Sequence, residues 1–182
     1  GYSIGQYTAL YAAGAFSFEQ ALNLVNIRGK CLKKAAAETE TGMLGIIGLT
    51  EEKVADVVGR VGKSYIANYN SPVNYSVSCE NSIKEALISE FEKEKAMKVV
   101  DLPVAGGWHS PFMKSAADMF RKTLDEESMN LPHENFIENG SVDRIRSIEQ
   151  LKENLYRHIY CPVNWFPSVR KLMESGIDTF VE

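Results

Sequence analysis

Two short stretches of the chain carry the side chains that nucleophilic acyl transfer needs. The first, Gly1-Tyr2-Ser3-Ile4-Gly5, reads G-x-S-x-G. That spacing sets a serine on a sharp strand-to-helix turn, where a Cβ at either glycine is expected to crowd the backbone. The second, Gly106-Gly107-Trp108-His109-Ser110-Pro111, sets a histidine just before a helix start. A serine hydroxyl is a weak nucleophile until a neighbouring base takes its proton, and neutral imidazole is suited to that task. The Ile4 N–H, at the head of the following helix, would face the oxygen of a bound acyl group and form half of an oxyanion hole. The glycines before His109 permit close backbone approach, and the nearby helix N-terminus disfavours imidazolium.

Other candidates are less specific. Arg28 lies within the apolar stripe of Leu24, Val25, Ile27 and Cys31. It reads either as a surface arginine with a snorkelling stem or as a planar fork that grips a substrate carboxylate. Asn68 and Asn70 lead into Ser71-Pro72, and a plain Asn-Ser-Pro turn is the simpler reading there. His133 follows Leu131-Pro132 in a polar loop and reads as a surface residue.

These residues must be positioned by a fold of limited size. A chain of 182 residues buries one core, or one core plus a small insert. Apolar residues make up 45% and charged residues 24%, ordinary proportions for a globular domain. The net charge of −4 offers no footprint for nucleic acid. No apolar run approaches the ~20 residues of a membrane span. Cys31, Cys79 and Cys161 are odd in number and far apart. They fit thiols in a reducing cytoplasm better than a disulfide frame, and no metal-ligand spacing is present. An elbow needs a strand before it, and this sequence starts at the elbow. The chain is therefore expected to be part of a larger domain, with helix faces that lack a sheet to cover and poor stability alone.

Periodicity gives the element order. Gln6 to Ala13 reads as a helix. Ser17 and Gln20 form a capping box for a second helix. From Thr41 the pattern changes. It gives a strand over 42–49, a helix from Thr50 to Gly59, a strand over 65–69, a turn at Asn70-Ser71-Pro72, a strand over 75–79, a helix from Asn81 or Ser82, and a strand over 97–104. This β-α-β-β-α-β order is that of a ferredoxin-like unit. Helices follow from Ser110-Pro111, from Ser147 and from Phe166 or Pro167. Short strands are expected at 136–139 and from Ile177.

Together these stretches resemble the malonyl-CoA:acyl carrier protein transacylases and the acyltransferase domains of polyketide synthases. The resemblance runs through GYSIGQYTALYAAGAFSFEQAL, NIRGK, ANYNSP, LPVAGGWHSPFM, and YCPVNW to FVE. It implies an α/β-hydrolase-like large subdomain, incomplete here (residues 1–40 and 105–182), with an inserted ferredoxin-like small subdomain (residues 41–104). It implies Ser3 as nucleophile, His109 as base, Ile4 as oxyanion donor, and Arg28 as the partner of a malonyl carboxylate. The base would be oriented by a backbone carbonyl near His158. Asn68, Asn70, Trp108 and His158 would line the substrate site, and bulk at Trp108 favours malonyl over branched units. The implied partners are a CoA thioester and the phosphopantetheine of an acyl carrier protein, with no resident cofactor. The second oxyanion donor of the family would lie upstream of Gly1. Tyr2, Gln6, Trp108 and His158 depart from the family's usual His, Glu, Phe and Gln. Two other functions compete: an acyl hydrolase that releases stalled acyl groups from carrier proteins, and a non-catalytic docking module.

Overall fold

The structure, a computed structural model, describes residues 1–133 and 135–180. It is an α/β arrangement with a small antiparallel sheet. The chain opens with α1 (Gly5–Ala12) and α2 (Phe18–Ala37). Next come β1 (Thr41–Ile47), α3 (Glu51–Val61), β2 (Ser64–Ser71), β3 (Asn74–Glu80), α4 (Lys84–Lys93) and β4 (Lys98–Leu102). It closes with α5 (Lys114–Glu126), α6 (Ile148–Arg157) and α7 (Trp165–Glu174). The strands lie in the order β2-β3-β1-β4, each antiparallel to its neighbours.

Local signals explain most boundaries. Ser17 Oγ accepts the Gln20 N–H at 3.2 Å, and Gln20 Oε1 accepts the Ser17 N–H at 2.8 Å, so both ends of the box satisfy a free donor at the start of α2. Gly62, with φ of 71°, closes α3. Alternation does the same for the sheet. Leu44 and Ile46 stand opposite Val77 and Tyr75 in the β1–β3 register. With Val54, Val57, Leu87 and Phe91 they form a buried cluster beneath α3 and α4. Full burial of a large apolar side chain contributes about 1.5–3 kcal/mol. That outweighs the solvent-screened ion pairs of Arg60 with Asp56, Glu90 and Glu94 as the force holding the two helices to the sheet.

The opposite face of the sheet carries buried polar residues, Thr41, Ser76 and Ser78, beside Met43. It seats the segment before α5. The Gly107 N–H donates to Thr41 Oγ1 at 2.9 Å, and the Ser78 hydroxyl donates to the Trp108 carbonyl at 2.6 Å. A second core, built from Tyr7, Leu10, Leu24, Phe120, Leu124, Leu151 and Leu155 among others, joins α1, α2, α5 and α6.

Four sequence expectations are corrected. The 136–139 stretch is not a strand: its chain turns back, with the Glu138 N–H bonded to the Asp143 carbonyl, and no extended neighbour lies alongside among the described residues. Residues 177–180 are likewise not extended into a strand, and Val181 lies outside the described residues. The hairpin turns at Pro72-Val73 rather than at Asn70, because bulges in β2 carry Asn70 and Ser71 into the strand. Finally, a three-residue 3₁₀ turn, Pro111–Met113, precedes α5.

Gly107 is the fold's tightest contact near the histidine. A Cβ there would lie 2.9 Å from the Phe112 ring and 3.3 Å from the Cβ atoms of Ser78 and Thr41. Gly107→Ala is expected to cost ~1–3 kcal/mol through overpacking. Urea denaturation of both chains measures it, and equal midpoints would contradict the packing described.

Candidate active site

The turn before α1 bends sharply at Ser3, whose φ is 49°. Few residues other than glycine hold that conformation without enforcement. Gly1 is indispensable here, since a Cβ would collide with the Gly5 carbonyl. Gly5 is not: a Cβ there meets nothing within 4 Å, so crowding explains only the first glycine of the motif. The Gly5 and Gln6 N–H groups are taken up by the Tyr2 and Ser3 carbonyls. Among the described residues no acceptor takes the Ile4 N–H, which remains one of the free donors of a helix N-terminus.

Ser3 Oγ lies 2.7 Å from His109 Nε2. His109 Nδ1 lies 2.9 Å from the His158 carbonyl. A carbonyl only accepts, so the ring proton sits on Nδ1 and Nε2 is left to accept the Ser3 hydroxyl proton. His109 is 5% exposed. Burial, with the Arg28 guanidinium second, lowers its pKa to about 4, against the opposing pull of the His158 carbonyl. The imidazole is therefore neutral at pH 7, as a general base must be. The cause differs from the helix-terminus effect expected from sequence: only a short 3₁₀ turn follows Ser110.

Arg28 projects from α2 and is 7% exposed. Its Nη2 donates to Ser3 Oγ at 3.3 Å, and its Nε is buried without a partner. Among the described residues no carboxylate pairs with it, and the guanidinium lies 5.7 Å from the Tyr7 ring centroid. The Tyr7 hydroxyl is also buried without a partner, and burial pushes its pKa up to about 12. A buried cation with spare donors beside a serine–histidine pair is suited to receive an anion.

The remaining sequence candidates fall at different distances from this centre. His158 caps α6 and offers its carbonyl to His109. Its own ring is 1% exposed, has no partner at either nitrogen, and is kept well below the usual imidazole pKa by burial and then by His109 and Arg28. Asn70 Oδ1 accepts the Tyr2 hydroxyl at 2.8 Å and so braces the elbow. Asn68 is buried on the outer edge of β2, where it bridges to Val163. Trp108 borders an apolar groove along α2, lined also by Gly29, Leu32 and Ala36. Sequence reasoning missed Asn139, whose Oδ1 accepts the Ser3 N–H at 3.3 Å, and with it Glu138; Gln6, marked in the sequence only as a departure from the family, joins them beneath the elbow. The Asn139-Gly140 dipeptide was the one available signal, and it marks a turn without naming its target.

A hydroxyl in contact with a neutral, carbonyl-anchored imidazole on a tight turn before a helix is the arrangement of a serine-dependent acyl-transfer site. The chain belongs to the acyl transferase domain family, whose sequence model matches residues 1–182. It is 34% identical over 187 residues to the malonyl CoA-acyl carrier protein transacylase of Bacillus subtilis, covering 100% of this chain and 59% of that protein. It thus spans about three-fifths of the length of the curated transacylases it matches. Among solved structures it is similar to an acyl carrier protein S-malonyltransferase from Vibrio cholerae (TM-score 0.93, 31% identity, 97% of this chain and 59% of that one). It is equally similar to the malonyl CoA-acyl carrier protein transacylase of Coxiella burnetii (TM-score 0.93, 28% identity, 97% and 57%). A third similar structure shows a malonyl-transacylase in complex with the acyl carrier protein of a type II polyketide synthase (TM-score 0.93, 30% identity).

The His109 environment sets the pH response. Protonation removes the base, so Ser3 reactivity is expected to hold level from pH 8 to 6 and to fall only as pH approaches about 4. A pH profile of Ser3 labelling checks this; loss of reactivity centred near 6.5 would contradict the burial described.

Proposed function

We propose that this chain is the serine-bearing part of an acyltransferase that moves a malonyl group from malonyl-CoA to the phosphopantetheine thiol of an acyl carrier protein. The setting would be fatty acid or polyketide synthesis in the cytoplasm. Ser3 is the nucleophile and His109 the base. Ser3 Oγ attacks the thioester carbon while its proton passes to His109 Nε2. The Ile4 N–H receives the developing oxyanion. The tetrahedral intermediate collapses, the C–S bond breaks, and CoA leaves with the proton from His109. The carrier thiol then gives its proton to His109 and attacks the seryl ester, and Ser3 leaves with that proton.

One observation carries the choice of malonyl: Arg28 is buried, has no carboxylate partner among the described residues, and stands 3.3 Å from the attacking oxygen. A neutral acyl group would leave that charge unpaired, which is costly. This favours malonyl transfer over hydrolysis of simple acyl groups. We also read residues 41–104 as a ferredoxin-like small subdomain set into an α/β-hydrolase-like large subdomain formed by 1–40 and 105–182. The β-α-β-β-α-β sequence with order β2-β3-β1-β4 supports that reading. Tyr2, Asn70 and the His158 ring border the acyl site, and Trp108 closes one side of it. No resident cofactor takes part in these steps.

Intact-mass measurement of acyl-enzyme after mixing with malonyl-CoA or acetyl-CoA tests the reading. The parent chain is expected to acquire malonyl in preference to acetyl, and Ser3→Ala to acquire neither. Arg28→Ala is expected to slow malonyl labelling by roughly 10²-fold, as loss of one partner of a buried charge pair does, and to leave acetyl labelling far less affected. Equal losses for both donors would remove Arg28 from recognition. Preferential acetyl labelling followed by rapid decay would favour the hydrolase.

A further inference from the structure

The Ser3 backbone is held from beneath by residues that none of the steps above uses. Asn139 Oδ1 accepts the Ser3 N–H at 3.3 Å, the Asn139 N–H donates to Gln6 Oε1 at 2.8 Å, and the Asn139 carbonyl accepts the Asn164 N–H at 2.9 Å. Next to it, Glu138 is 2% exposed and pairs with no cation among the described residues. Its carboxylate instead accepts the N–H groups of Gly140 and Ser141 at 2.8 and 2.7 Å and the Ser141 hydroxyl at 2.9 Å. Longer contacts come from Gln6 Nε2 at 3.4 Å and Asn154 Nδ2 at 3.5 Å. Gln6 is fully buried and uses both ends of its amide, accepting from Asn139 and donating to Glu138. A carboxylate at position 6 could accept from Asn139 but would meet Glu138 oxygen to oxygen.

We propose that Glu138 is a positioning residue for the nucleophile. Its buried carboxylate shapes the 138–141 loop, and the loop, through Asn139 and the neutral amide of Gln6, holds Ser3 in its left-handed conformation against His109. This rests on the reading of Ser3 as the nucleophile. The pairing is directional: one carboxylate and one amide must share the site, and two carboxylates cannot. Other charged or titratable groups stand around it. Arg157, His158 and Cys161 line the same cavity as Glu138, and Ser3 brings His109 and Arg28 to the far side of Asn139.

The test is a cycle of four full-length chains: parent, Q6E, E138Q and Q6E/E138Q. Each is labelled with a fluorophosphonate probe, in which Ser3 Oγ attacks phosphorus, fluoride leaves, and the hydroxyl proton passes to His109. Labelling requires no malonyl-CoA, so failure of the proposed substrate leaves this test intact. At pH 8, Q6E is expected to label roughly 10²-fold more slowly than the parent, as a displaced nucleophile does. The gap should narrow toward pH 6, because one of two carboxylates sharing a buried site takes up a proton and can then donate as the amide did. Q6E/E138Q should recover about tenfold or more over Q6E, with a ratio to the parent that no longer changes with pH. A Q6E chain as fast as the parent at pH 8, or a double variant no faster than Q6E, overturns the proposal. If Q6E fails to fold, a folded and labelled double variant supports the pairing, and a double variant that also fails to fold overturns it.

Discussion

The hydrogen bond between His109 Nδ1 and the His158 carbonyl is the constraint on which the rest of the site depends. The carbonyl can only accept, so it fixes the ring proton on Nδ1, orients the ring, and leaves Nε2 facing the Ser3 hydroxyl. The same geometry keeps the ring buried beside Arg28, and these two influences hold it neutral. A carboxylate in place of the carbonyl would have favoured the charged form. Orientation by a neutral dipole is compatible with an arginine on the other side of the serine.

The short segment after α6 explains how one carbonyl comes to be so well placed. His158 ends α6, and within a few residues Val163 binds the outer edge of β2 through its N–H and carbonyl. Asn164 then caps α7 and bonds to Asn139 and Gly140. Trp165 stacks edge-on against Tyr2, with ring centroids 5.4 Å apart. The segment therefore ties together the histidine, the small sheet, the loop beneath the elbow and the elbow itself. The sheet contributes from its polar face, where Thr41 and Ser78 fasten the Gly107-Trp108 backbone. A face lined with Leu or Val would have left those backbone groups without partners.

What was legible in the sequence was local. The Ser17–Gln20 box, the alternation in β1 and β3, and the motifs around Ser3 and His109 each depend on residues a few positions apart, and each names its own structure. What was illegible depended on contacts across more than a hundred residues. The Asn139–Ser3 and Gln6–Glu138 bonds join the first turn of the chain to a loop whose composition signals only a turn. The Phe136-Ile137 pair suggests a strand over 136–139, yet β structure requires a neighbour, and there the chain turns back through the Glu138–Asp143 bond. Arg28 was ambiguous for a related reason. An arginine among apolar residues on a helix is usually a surface residue, and only the fold shows it buried against Ser3. The neutrality of His109 was anticipated, but its cause, burial and a distant arginine, is a property of tertiary structure.

A neutral His109, protonated at Nδ1, presents an unprotonated Nε2 to Ser3. Nitrogen-15 NMR of the histidine side chains reads this directly. The expected result is a protonated Nδ1 and an unprotonated Nε2 at pH 7, with a ring that titrates only near pH 4. A His109 ring protonated at Nε2, or one already charged at pH 6, would contradict it.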